Sequence, residues 1–184
     1  MRSNIFTEGS RPSLEEVLHT RENRVRFQET LAVKYSPDTI ISFKLNIPGP
    51  VKNNEAIGKI FSVGKADITD SLKYRGWEIT YEKIMDLKTG PELFLVTRGS
   101  LVEVKKAMII LEDDMPLGRL FDLDVFMAEG KEVRTISREA LGFPERRCLI
   151  CDESAKVCGR SRTHEVSEMH EKIMEIMEKE KRLK

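Results

Sequence analysis

The segment PLGRLFDLDVF, residues 116–126, places two aspartates, Asp122 and Asp124, one residue apart in an otherwise apolar run. In an extended chain residues i and i+2 share a face, so Asp122, Asp124 and Phe126 point one way and Phe121, Leu123 and Val125 the other. Two anions side by side repel unless a cation lies between them, and a divalent metal bound through oxygen is the common solution. The plain alternative is a half-exposed strand whose polar face is wet. Gly118 permits close backbone approach, Arg119 brings a forked donor suited to phosphate, and Pro116 marks the break before the strand. Just upstream, Glu112, Asp113 and Asp114 close an expected helix at the end where its dipole disfavours anions.

A second group is RRCLICDESAKVCGRSRTH, residues 146–164, which offers Cys148, Cys151, Cys158 and His164 as a C-x2-C-x6-C-x5-H set. Three thiolates and an imidazole suit tetrahedral zinc. The competing readings are small buried thiols with His164 opening the final helix, and a nucleophilic Cys148 or Cys151 with His164 as its base. Five basic and two acidic residues make this stretch cationic, and Arg160 and Arg162 flank Ser161 near an expected helix N-terminus, an arrangement that favours phosphate. Lys52, after the rigid turn of NIPGPVK, and Arg98, closing ELFLVTR, are further candidate phosphate contacts. Each of these cations could equally belong to a solvated surface or turn, and for Lys52 and Arg98 that is the plainer reading. His19 and His170, on helices among charged neighbours, read as surface residues.

The elements that would position these groups follow from caps and periodicity. Ser13 with Glu16 forms a capping box and opens a helix through residue 35, with Leu14, Val17, Leu18, Val25 and Leu31 as an apolar stripe. TIISFKLNI, residues 39–47, reads as a strand that stops at Pro48 and Pro50. A second helix spans residues 54–74 with an interruption near Gly64. WEITYEKIMDL and ELFLVTRG read as two strands around the turn Lys88, Thr89, Gly90 and Pro91. Ser100 with Glu103 caps the helix that ends in the acidic triplet. The strand bearing Asp122 and Asp124 then turns through Glu129, Gly130 and Lys131 into EVRTIS. From about Ser161 to the end, Val166, Met169, Ile173 and Ile176 or Met177 fall at helical spacing. The expectation is α+β: one domain over residues 1–184, with residues 1–12 flexible, a mixed, mainly antiparallel sheet flanked by helices, and a long C-terminal helix.

Composition agrees with an ordinary globular chain: 184 residues, 40% hydrophobic and 34% charged. Zero net charge argues against wholesale nucleic-acid binding. The chain has no apolar run of about 18 residues to cross a membrane, and MRSNIFTEGSRPS lacks the apolar core of a signal peptide. Three cysteines cannot all pair, which suits a reducing compartment. A cytoplasmic protein with neither nucleic-acid nor membrane partner is expected.

Taken together and in order, NIPGPVK (46–52), TGPE (89–92), PLGRLFDLDV (116–125) and the RRCLIC…VCGRSRTH block resemble the apo-citrate lyase phosphoribosyl-dephospho-CoA transferases, the holo-acyl-carrier-protein synthases of citrate lyase. The resemblance runs from about residue 18 to residue 164, with Phe121 where many members carry tryptophan. It implies a nucleotidyltransferase-type reaction: a serine of the acyl carrier (gamma) subunit attacks 2'-(5''-triphosphoribosyl)-3'-dephospho-CoA, a phosphodiester forms, and pyrophosphate leaves. That chemistry asks for a divalent ion and cations on the leaving phosphates. Asp122 and Asp124 are accordingly assigned to magnesium, Arg119 is placed near the phosphates, and Asp124 is also a candidate acceptor of the serine proton. The reading from a different class is a non-catalytic, zinc-stabilised module that binds the carrier protein.

Overall fold

The computed structural model describes residues 5–130 and 132–184. Residues 1–4 of the expected flexible lead-in, and Lys131 of the expected turn, lie outside these. The described residues form α1 (Leu14–Lys34), β1 (Thr39–Leu45), α2 (Glu55–Tyr74), β2 (Ile79–Met85), β3 (Glu92–Thr97), α3 (Leu101–Asp114), β4 (Phe121–Glu129), β5 (Glu132–Thr135), α4 (Ala155–Ser161) and α5 (Val166–Lys179). The capping reading holds for α1, where Ser13 and Glu16 each take the other's backbone N–H. Ser100 likewise accepts the N–H of Glu103 at the start of α3.

The strands form one sheet in the order β2-β3-β1-β4-β5, and every neighbouring pair is antiparallel. No strand pair is parallel in that sheet, so the α+β class holds and the expected mixture does not. Alternation gives the sheet two faces. Ile41, Phe43, Leu93, Leu95, Phe121, Leu123 and Val125 pack under α2 and α3 in the main core. Ile40, Phe94, Val96, Phe126 and Ala128 form a smaller cluster with Leu31 and Ala32 of α1.

The helix α1 departs from its expected stripe. Leu31 and Ala32 are buried, but Leu14, Leu18 and Val25 are exposed. The reason is the face beneath it: α1 covers apolar residues only at its C-terminal end, and its N-terminal half passes over a charged row that it meets through Arg24.

Gly64 does not interrupt α2, which runs unbroken from Glu55 to Tyr74. It is instead the point where the helix touches the sheet: a Cβ there would lie 2.5 Å from Phe43 Cζ and 2.9 Å from Phe121 Cε1, both fully buried rings. Alanine gains about 1 kcal/mol of helix propensity and loses about 1–3 kcal/mol to overpacking. Because neither ring has room to swing away, the net loss falls at about 1–2 kcal/mol, and Gly64→Ala is expected to lower the melting temperature by roughly 2–8 °C. An unchanged thermal melt would show that the rings yield.

The C-terminal helix starts later than its pattern implied. Residues 155–161 form the short α4, Arg162 turns left-handed at φ 50°, and α5 begins at Val166 behind a Glu165 cap and ends at Lys179. Its buried anchor is Ile173. His170 is not a surface residue: its ring stacks on Phe6 at 3.8 Å, and its Nε2 lies 3.0 Å from Pro48 O. His19 is exposed as expected. Where a flexible lead-in was expected, residues 5–12 pack against the body through Phe6 and a Ser10–Asn53 bridge.

Candidate active site

The two aspartates face as alternation required, on the side of α1 rather than the main core. Register places Asp122 across from Lys44 and Asp124 across from Ser42, while Lys44 on its other side faces Glu92. One row across three strands is therefore Glu92, Lys44, Asp122. Lys44 makes an ion pair with Asp122, and Arg24 of α1 holds Glu92. Burial lowers the pKa of Lys44, and Arg24 lowers it further, against the pull of Asp124 and Glu92. Asp124 is exposed. Beside this row a cavity of about 230 Å³ is lined by Arg21, Arg24, Lys44 and Lys52. The Lys52 ammonium, its pKa lowered by burial, donates to Ile47 O at 2.6 Å.

The start of β4 is fixed from α3. Strand β5 pairs only from Phe126 onward, so the first half of β4 has no strand beyond it. Glu112 accepts the N–H of Leu123 at 3.1 Å, and the Lys105 ammonium donates to Leu123 O at 3.0 Å. Leu123 sits between the two aspartates, so both outward backbone groups of that segment are satisfied by side chains of one helix. Glu112 is buried rather than a solvated helix end, with Arg138 at 3.5 Å and Arg146 at 3.6 Å. Burial raises its pKa, and Arg146 and the Leu123 N–H partly offset this. Gly118 makes the connection between α3 and β4 compact: a Cβ there would stand 2.2 Å from Leu111 O.

A second cavity, of about 570 Å³, opens between the 46–49 loop, the turn before β4 and the cysteine block. Arg119, Arg146, Arg147 and Arg162 line it, together with Asn46 and Met169. Asn46 N–H donates to Leu120 O at 2.8 Å, which ties this cavity to the end of β1 two residues beyond Lys44. Arg119 donates to the carbonyls of Arg147 and Cys148, and Arg146 donates to those of Gly118 and Arg119 at 3.1 and 2.9 Å. Burial, then the neighbouring Arg146, lowers the pKa of Arg119. A larger concavity of about 890 Å³ lies around Asn53 to Lys65 and shares none of the candidate residues, so size alone does not locate the chemistry.

Cys148, Cys151, Cys158 and His164 converge so that one ligand atom of each lies within 4.8 Å of the others. The Cys151 and Cys158 sulfurs are 3.5 Å apart, and His164 Nε2 is 3.2 Å from Cys151 Sγ. Burial pushes the Cys148 thiol up, but the N–H groups of Cys151 and Ile150 outweigh it and hold the pKa at about 7. Burial and the two neighbouring thiols push Cys158 up to about 11.

The structure thus joins Asp122 and Asp124 to Lys44, and Arg119 and Arg162 to one cavity. It separates others. Arg98 pairs with Glu78 at 2.7 Å beyond Thr97, which registers with Thr39 at the far end of β1 from Lys44. Arg160 is exposed in the last turn of α4, and Arg162 caps that helix at its C-terminus, three residues before the Glu165 N-cap of α5. Sequence reading missed Lys44, Arg24, Glu92 and Arg146; the alternating polar residues Ser42, Lys44 and Asn46 of TIISFKLNI were the one available sign for Lys44.

Residues 12–180 match the family described as apo-citrate lyase phosphoribosyl-dephospho-CoA transferase. A protein of Streptococcus pyogenes serotype M18 (strain MGAS8232), named as a probable member, is 36% identical over 177 residues, covering 96% of this chain and 91% of that one. A protein of the same name from Vibrio cholerae serotype O1 (strain M66-2) is 39% identical over 165 residues, covering 89% and 90%. The chain also matches part of a longer protein, CitXG of Leuconostoc mesenteroides subsp. cremoris, at 37% identity over 94% of this chain and 36% of that one. With the family match and these relatives in agreement, the chain belongs to the apo-citrate lyase phosphoribosyl-dephospho-CoA transferase family.

Proposed function

We propose that this chain transfers the 2'-(5''-phosphoribosyl)-3'-dephospho-CoA group from its triphosphoribosyl precursor to a serine of the citrate lyase acyl carrier (gamma) subunit, releasing pyrophosphate. The observation that carries the reading is a cavity edged by four arginines, one of which, Arg119, lies three residues before Asp122 at the entry to the strand that bears both carboxylates. The serine oxygen forms a bond to the phosphorus nearest the ribose as the bond from that phosphorus to the pyrophosphate oxygen breaks, and the serine proton passes to Asp124. Asp122, held by Lys44, is less free to take it. Asp122 and Asp124 are the hard oxygen ligands that would hold magnesium, which would neutralise phosphate charge. Arg119, Arg146 and Arg162 offer forked donors to the polyphosphate. The non-catalytic module is not favoured, since the relatives are named as transferases. No helix among the described residues is long and apolar enough to cross a membrane, and a cytoplasmic location accords with three unpaired cysteines.

Incubation with apo-carrier, the triphosphoribosyl precursor and magnesium should add the prosthetic group to the carrier serine, read by mass, and release pyrophosphate. A carrier that stays unmodified overturns the reading. Substrate titration locates the phosphates. Arg162→Ala is expected to raise the apparent KM for the precursor by about 10-fold or more, the worth of a charge-assisted hydrogen bond, with Arg160→Ala weaker because Arg162 lines the cavity and Arg160 does not. Unchanged affinity in both variants would move the phosphate site to Arg119, Arg146 and Lys52.

A further inference from the structure

We propose that Cys148, Cys151, Cys158 and His164 bind one structural zinc ion, and that this ion holds in place the arginine-bearing wall of the larger candidate cavity. A tetrahedron with Zn–S bonds of about 2.3 Å and a Zn–N bond of about 2.0 Å has edges of roughly 3.5–3.8 Å. The separations of 3.5 Å between Cys151 and Cys158 and 3.2 Å between His164 and Cys151 are close to those edges. They are too long for the sulfur–sulfur bond of a disulfide, about 2.05 Å. The Ile150 N–H points at Cys148 Sγ at 3.5 Å, the kind of outer donor that steadies a metal-bound thiolate.

The strongest reason is what the segment lacks. Between residues 144 and 165 the only buried residue is Cys158. Twenty-odd residues of irregular chain and one short helix cannot recover their ordering entropy, about 1–2 kcal/mol per residue, from so little apolar burial. A metal with four protein ligands supplies folding energy directly, and a site closed by four protein ligands has no open position for catalysis. Three thiols lose their protons on binding, so the bound site carries one net negative charge among Arg119, Arg146, Arg147 and Arg162. Those arginines complete the connection: Cys148 O and Arg147 O accept from Arg119, and Arg119 lies three residues before Asp122. The metal assignment stands without the transfer reaction. Its effect on the phosphate wall rests on the function proposed above.

Elemental analysis of protein grown in zinc-replete medium and purified without added metal is expected to find about one zinc per chain. Cys148→Ser should bring that content near zero. In the wild-type protein, removal of zinc by chelator should abolish hydrogen-exchange protection in residues 144–165 while β1, β3 and β4 keep theirs. Because the serine variant can fail to fold, cobalt substitution of the wild-type chain provides a second readout, the visible bands of tetrahedral thiolate cobalt. Zinc content near zero, stoichiometric iron instead of zinc, absent cobalt bands, or chelation that leaves the segment protected would each overturn the proposal. Stoichiometric zinc with an unmodified carrier would support it and overturn the transfer reading alone.

Discussion

Asp122→Asn and Asp124→Asn are each expected to reduce transfer by roughly a thousandfold or more while leaving the protein folded. Both carboxylates lie on the face away from the main core, and neither is a buried partner whose loss opens a cavity. Asparagine keeps the size and an acceptor oxygen but removes the charge. If the pair compensates phosphate charge in the transition state, the loss is worth about 4 kcal/mol, which converts to a factor of about a thousand. The two variants should differ in one respect: Asp122→Asn also frees Lys44 from its ion pair, a half-exposed contact whose own contribution to stability is small. Turnover by single-cycle mass assay and a thermal melt separate the two effects. Wild-type turnover in either variant, or full activity in excess chelator, would refute the assignment of these carboxylates to the metal.

Glu112→Ala is expected to be the most damaging substitution for the fold around the site. It removes the acceptor of a buried N–H and the anion that faces Arg138 and Arg146. An unsatisfied buried N–H costs about 1–3 kcal/mol, and arginines left without their anion add to this. A total of about 3–4 kcal/mol corresponds to a melting temperature lower by roughly 6–16 °C in a chain of this size. Glu112→Gln keeps an oxygen for Leu123 and should stay much closer to wild type. The pH dependence has a definite sign. Burial raises the folded pKa of Glu112, so its contribution is fully present below the ordinary carboxylate value and diminishes as pH rises through the folded value. The gap between wild type and Glu112→Ala should therefore be widest in acid. A melt of Glu112→Ala indistinguishable from wild type would show that water replaces the carboxylate at Leu123.

Some features were legible because they are local. The period of two told which way Asp122 and Asp124 point, and Ser13 with Glu16 announced a helix start, since each rests on residues within a few positions of one another. The spacing of Cys148 and Cys151 likewise carries its own geometry. Pattern was less reliable where covering was incomplete: Leu14, Leu18 and Val25 form a helical stripe, yet the sheet under that half of α1 is charged, and they stay exposed.

Local pattern was enough to give the strand, its two faces, the ligand types of the cysteine block and, through the motifs, the family. Strand pairing is what sets Lys44 across from Asp122, 78 residues away in the chain. Tertiary packing also excluded Arg98 from the aspartates, brought Arg146 to Glu112, and closed Cys158 and His164 onto Cys151. The physical reason is that register between strands and the docking of an irregular loop depend on which distant surfaces bury together. No spacing along one chain segment encodes that partner.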